Sequence, residues 1–234
     1  MPATKTLKVQ PSKHDLKLKK RVLKSVKRDT KLKKLDLKER WKNLYQPPVG
    51  KLVEVDVPPL AYLMVDGEGD PNTAPAFQEA IEALYSLAYT LRFSLKKSPR
   101  PVDYGVMPLE GLWWAQDPCV FHQADKSAWK WTAMILQPEF ITRAHVEAAI
   151  EEVRRKKNPK ALDRVRLETL EEGRSAQILY IGPFSEEAPT IERMHEYIHA
   201  AGKELYGKHH EIYLSDPRRT APEKLRTILR QPMR

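Results

Sequence analysis

The stretch "SAQILYIGPFSEEAPTIERMHEYIHAAGKELYGKHHEIYLSD" (residues 175–216) changes its hydrophobic period twice, and that change decides the fold. Its opening, "SAQILYIGP", reads as a strand, and "APTIERMHEYIHAAG" as a helix that stops at Gly202. "KHHEIYLSD" returns to strand and offers Ile212, Tyr213 and Leu214 to a core. Glu211 in its middle is the anomaly. A charge in an apolar setting is costly, so this carboxylate must reach water, find a partner such as Arg218 or Arg219, or perform chemistry.

Upstream, "RVRLETLEEG" reads as a strand that meets the first one through a tight turn at Glu171, Glu172 and Gly173. Further back, "KLVEVDV" and "LAYLMVDG" are strands. The helix "APAFQEAIEALYSLAYTLRFSLKK" follows, with Phe77, Ile81, Leu84, Tyr85, Ala88 and Leu91 on one stripe. "VDYGVMPLEGLWWAQ" reads as two short strands around Pro108, "AWKWTAMILQP" as a strand and "EFITRAHVEAAIEEVRRKK" as a helix. "LDLKERWKNLYQPP" is expected to be a short amphipathic helix capped by Asp36 and stopped by Pro47, and "APEKLRTILRQP" a short helix or turn leading out. Two successive strand-helix-strand-strand series predict an α+β domain with internal pseudo-symmetry and a ligand crevice between its halves.

The formal charge is +10, but it is unevenly placed. Residues 1–50 hold 16 Lys and Arg against 4 Asp and Glu, so residues 51–234 hold 25 against 27. The body of the chain therefore gives no support to nucleic-acid binding, whereas residues 1–35 form a lysine-rich extension without an aromatic residue. That extension is expected to be disordered or partly helical: a solvated leader on the first reading, a weak contact to nucleic acid or an anionic surface on the second. A single cysteine excludes an internal disulfide framework. With neither a membrane span nor a secretory leader legible, a cytoplasmic protein is expected.

Strand alternation sets His209, Glu211 and Tyr213 on one face and His210, Ile212 and Leu214 on the other. If the first face lines a cavity, desolvation raises the Glu211 pKa and suits it to deprotonate a water or to neutralise a bound cation. In "PLEGLWW", Glu110, Leu112 and Trp114 share a face and Trp113 takes the other. At most one of these two Trp is expected to face the cavity, with Trp114 and Glu110 preferred. Tyr104, Trp131 and Tyr180 are further wall candidates, each equally suited to a plain core role. His209 and His210 point apart and lack further ligands at a supporting spacing, so no metal is implied. Cys119 with His122 lies in a loop without an orienting partner, and "GEGD" (67–70) lacks the phosphate-loop pattern.

"YGVMPLEGLWW" (104–114), "LYIGPFSEEAPTIERMHEYI" (179–198) and "KHHEIYLSDPRRTAPEKLRTILRQP" (208–232) together resemble the GyrI-like small-molecule-binding family. The stand-alone bacterial branch fits best, and "MVDGEGDPNT" (64–73) and "WKWTAMILQPEF" (129–140) match it too. The resemblance covers residues 36–234, leaves the basic N-terminal extension outside it, and implies two βαββ modules with pseudo-two-fold symmetry and a ligand cleft between them. It implies a hydrophobic small-molecule ligand and a pocket glutamate on the last strand, here Glu211. The ligand-binding candidates are Glu110, Trp113, Trp114, Tyr104, Trp131, Tyr180, Tyr213 and His209. Some members of this branch are hydrolases of cyclopropane-bearing alkylators that need no cofactor. The alternative implied is a non-catalytic binder of lipophilic cationic or aromatic drugs.

Overall fold

The computed structural model describes residues 34–115, 126 and 128–234. The expectations for residues 1–33, and those for Cys119 and His122, lie outside the described residues. Lys34–Arg234 forms one compact unit. It is α+β, as expected: eight strands in a single antiparallel sheet with helices packed on it.

The strands are β1 (Val53–Val57), β2 (Leu60–Glu68), β3 (Glu110–Trp114), β4 (Lys130–Leu136), β5 (Arg166–Leu170), β6 (Gly173–Ile181), β7 (His209–Tyr213) and β8 (Arg226–Pro232). Their order across the sheet is β1-β6-β8-β7-β3-β4-β2-β5. In a flat sheet β1 and β2, six positions apart, would be separated by about 29 Å. Yet only Pro58 and Pro59 join them, a link that reaches about 11 Å at full stretch. Glu171 and Glu172 tie β5 to β6 across the same gap. The sheet must therefore curl until its two ends approach.

The strands depart from expectation at three points. β5 and β6 do not form a hairpin: β5 pairs with β2, and β6 lies between β1 and β8. The segment expected to lead out as a helix or turn holds only a short 3₁₀ turn, Pro222–Lys224, before β8, a central strand paired with both β6 and β7. In β8 only Ile228, Leu229 and Pro232 are apolar, while Thr227, Arg230 and Gln231 are buried polar residues, which is why the stretch does not read as a buried strand. The region around Tyr104 is likewise not a strand, since that residue makes only an isolated bridge to Leu35.

The helices begin with two short turns, α1 (Leu37–Arg40) and α2 (Lys42–Tyr45), which break at Trp41 instead of forming one helix. Asp36 caps α1 by accepting from the amides of Lys38 and Glu39. The long helices are α3 (Pro75–Lys96), α4 (Arg143–Lys156) and α5 (Ala188–Ala200). α3 packs over β2 and β4, and α5 over β6 and β8, where Met194 and Ile198 meet Ala176, Ile178 and Leu229. The central pair β3–β7 lies between these two covers.

Candidate functional site

Register assigns the faces of this central pair. Gly111 pairs with Glu211 and Trp113 with His209, whereas Glu110 pairs with Ile212 and Leu112 with His210. Directly paired residues share a face, so Glu211 and Glu110 lie on opposite sides of the sheet. The two carboxylates do not share a pocket.

On the Glu211 side the chemistry is directional. An indole N–H only donates, so Trp113 Nε1 donates to the Tyr213 hydroxyl at 3.0 Å, and that hydroxyl in turn donates to Glu211 Oε2 at 2.8 Å. Burial first, and then the Glu211 carboxylate, hold the Tyr213 phenol well above its ordinary pKa, so it stays a donor. His209 Nε2 stands 3.6 Å from Glu211 Oε1, and the Glu211 side chain is 13 % exposed. The carboxylate thus does not project into bulk water. Phe184 lies edge-on to Tyr213, with ring centroids 5.6 Å apart.

A second carboxyl joins this side from an unexpected quarter. Glu187, at the N-terminus of α5, is only 4 % exposed, and its Oε1 has no hydrogen-bond partner among the described residues. Burial, followed by the proximity of the Glu211 carboxylate, pushes its pKa up to about 9. At neutral pH it therefore carries its proton. In the sequence it reads as an ordinary surface acid before a helix, and the glycine-proline and Ala-Pro that frame its turn give no hint of burial.

The remaining candidates divide. Trp113, not Trp114, shares the Glu211 face. Trp114 lies on the other face beside Lys208, whose Nζ sits 3.3 Å from the indole centroid. Trp131 lies on the Glu211 face but is fully buried beneath Phe77, with centroids 5.0 Å apart. Tyr104 packs on Phe140 as a core residue. Tyr180 shares the Glu211 face through Thr227, and its hydroxyl donates to the Pro183 carbonyl.

Glu110 belongs instead to a buried polar chain on the opposite face. Tyr45 donates to Glu110 Oε1 at 2.7 Å, and His210 Nε2 lies 3.0 Å from Glu110 Oε2. His210 Nδ1 lies 3.0 Å from Glu172 Oε1. Arg230 Nη1 donates to Glu172 Oε2 at 3.1 Å, while its Nε and Nη2 donate to Gln177. Both ring nitrogens of His210 face carboxylates, so the imidazole carries both protons, and two cations balance two anions. Burial opposes that charge, but Glu172 and Glu110 outweigh it and raise the His210 pKa. Burial works against the Glu172 carboxylate, but His210 and Arg230 overcome it and hold its pKa down at about 2.

Gly111 sets the packing of the Glu211 side. A Cβ there would stand 2.7 Å from Trp113 Nε1 and 3.1 Å from the Tyr213 hydroxyl. Gly111→Ala is therefore expected to displace the relay and to cost about 1–3 kcal/mol, measured by denaturant unfolding.

Two of the surface depressions among the described residues are sizeable. One of about 460 Å³ lies between α4 and β5, and one of about 370 Å³ lies beside Trp114, Lys130 and Lys208. Neither includes Glu211. Among the described residues no cluster of three or more His, Cys, Asp or Glu is arranged to hold a metal, and no helix is long and apolar enough to cross a membrane.

The fold and sequence have known counterparts. A crystal structure of an uncharacterized conserved protein from Listeria innocua is 41 % identical, with a TM-score of 0.79, covering 86 % of this chain and 100 % of that one. A second crystal structure, of a hydrolase from Listeria innocua, is 39 % identical, with a TM-score of 0.76 and the same coverage. No curated protein matches the chain. The model of the GyrI-like small molecule binding domain matches residues 51–233. By that match, and by likeness along nearly all of the compact unit, the chain belongs to the GyrI-like small-molecule-binding family.

Proposed function

We propose that this domain is a cofactor-independent hydrolase that detoxifies bulky, hydrophobic electrophiles bearing a strained cyclopropane ring. The observation that carries the reading is the pairing of two unlike carboxyls on one face: Glu211, fixed through Tyr213 and Trp113, and Glu187, protonated at neutral pH. Environments that push two carboxyl pKa values apart separate a base from an acid. The hydrolase from Listeria innocua at 39 % identity supports the same class of chemistry.

In this mechanism a water oxygen attacks an electrophilic ring carbon while Glu211 takes the water proton. The ring carbon–carbon bond breaks, and its electron pair moves to a conjugated oxygen on the substrate, which takes its proton from Glu187. Ring strain supplies driving force, so neither metal nor organic cofactor is required. Aromatic side chains around Glu211 hold the flat substrate and limit bulk water.

The two-module reading rests on the strand order. From each end inwards the sheet runs edge strand, first, third and second strand of a strand-helix-strand-strand unit, with β1 and β5 placed against the opposite unit. We take β2-α3-β3-β4 and β6-α5-β7-β8 as the two units and the ligand site as the gap between their helices, over β3 and β7. Residues 1–35 are read as a basic contact to nucleic acid or an anionic surface.

The pH profile tests the acid. Activity that needs protonated Glu187 falls as pH rises through about 9. Glu187→Gln is expected to lower turnover and to remove that alkaline limb; a limb that persists in the variant rejects Glu187 as the proton donor.

A second reading has its own observation. A carboxylate among aromatic rings also suits a lipophilic cation, with Glu211 as countercharge. Recovery of every bound compound chemically unchanged would favour this binder over the hydrolase.

A further inference from the structure

The groove of about 460 Å³ lies along a strand edge that the proposed chemistry does not use. β5 is the last strand of the sheet: one side pairs with β2, and on the other its backbone makes no hydrogen bond among the described residues. Val146 and Ile150 of α4, with Val165 and Leu167, floor the groove, and Arg143 and Glu147 stand on its rim. An edge with free amides and carbonyls beside an apolar floor is a template for one more strand.

Charge identifies which strand. Arg166-Leu167-Glu168 is its own complement when run antiparallel: pairing Leu167 with Leu167 of a second copy sets each Arg166, already paired in its own chain with Asp66 and Glu168, opposite the other copy's Glu168, so the pairs extend into one network across the axis. Centring the pair one residue later would set Glu168 against Glu168. The α4 rim repeats the pattern, because Arg143 and Glu147 are exposed, opposite in sign and without an ion pair among the described residues. At the other end of the sheet β1 (Val53–Val57) carries only acidic charges, Glu54 and Asp56, so self-pairing there would oppose like charges.

We propose that a second copy of this chain docks on the β5 edge, its β5 antiparallel to the first about a two-fold axis at Leu167. Leu167 of each copy enters the other's groove, beside Val146 and Ile150. Residues directly opposite in an antiparallel pair share a face, so both leucines lie on the α4 side. The same axis exchanges the helices and brings Arg143 of one copy to Glu147 of the other, a self-complementary two-fold contact. The proposal does not depend on the chemistry at Glu211.

Sedimentation velocity of the full chain over a concentration series tests it. The expected result is a concentration-dependent species of twice 27.1 kDa. Leu167→Lys should abolish it. Arg143→Glu, which opposes like charges twice across the axis, should weaken association about tenfold, and adding Glu147→Arg in the same chain should restore it. Arg143 and Glu147 are exposed, so the exchange leaves the monomer fold intact, as circular dichroism would verify. A 27.1 kDa species at every concentration, or a dimer indifferent to Leu167→Lys, or no rescue by the exchanged pair, overturns the proposal.

Discussion

Glu211→Gln is expected to slow hydrolysis of a cyclopropane-bearing alkylator about 10²- to 10⁴-fold, the range a positioned general base supplies. The amide keeps the shape of the side chain, and its oxygen still accepts from the Tyr213 hydroxyl, now held 2.8 Å from Glu211 Oε2. Folding should therefore survive, and the loss should fall on the rate while binding of a neutral substrate persists. Product formation at the wild-type rate in a folded variant would remove Glu211 from the chemistry. A lost affinity for cationic aromatic compounds, without any turnover by the wild type, would instead favour the countercharge reading. Tyr213→Phe separates positioning from proton removal: it deletes the donor that fixes Oε2 but leaves the base, so a smaller fall is expected.

The largest effect on stability is expected on the opposite face of the sheet. His210 and Arg230 are wholly buried, and Glu172 nearly so, within one connected set of charges. His210→Ala would leave Glu110 and Glu172 facing each other's charge without their shared cation. The expected cost is about 3–5 kcal/mol, measured by denaturant unfolding, because removing one partner strands a buried charge. The pH dependence has two limbs of opposite sign. Glu172 is held down at about 2, so its contribution is present above the ordinary carboxylate range and lost as pH falls through about 2. His210 is raised, so its contribution is complete below the ordinary imidazole value of 6.5 and lost as pH rises through its folded pKa. In His210→Ala the alkaline limb should disappear. Stability independent of pH on that side in the parent protein would show that the imidazole is not charged there.

Local patterning made the helices and most strands legible, because a period of 3.6 or 2 needs only neighbouring residues. Alternation also separated His209, Glu211 and Tyr213 from His210 and Ile212, and it separated Trp113 from Trp114. It could not say which face held which partner, since that depends on pairing between strands distant in sequence. Trp113 faces Glu211 because β3 pairs with β7 in a register that sets Gly111 opposite the carboxylate. For the same reason Glu172 read as a turn residue: a hairpin would have left it in solvent, but β5 and β6 lie on different sides of the curl, and the link between them is drawn inward. Arg230 was obscured by its own charge, which makes sense in a strand only once Glu172 and Gln177 are known to await it. Burial of Glu187 depends on how α5 approaches the sheet, and no short pattern encodes that.

Placing β8 in the middle of the sheet bears on the timing of folding. Residues 226–232 knit β6 to β7 and deliver the guanidinium that closes the polar chain, while β1 waits for β6, with Val53 opposite Gln177. Most pairings thus join segments made far apart during translation, which favours slow, concerted assembly over stepwise growth. A nascent chain emerging from the ribosome would keep open edges exposed until Pro232 has cleared the exit tunnel, and holdase chaperones would find their longest opportunity in that interval.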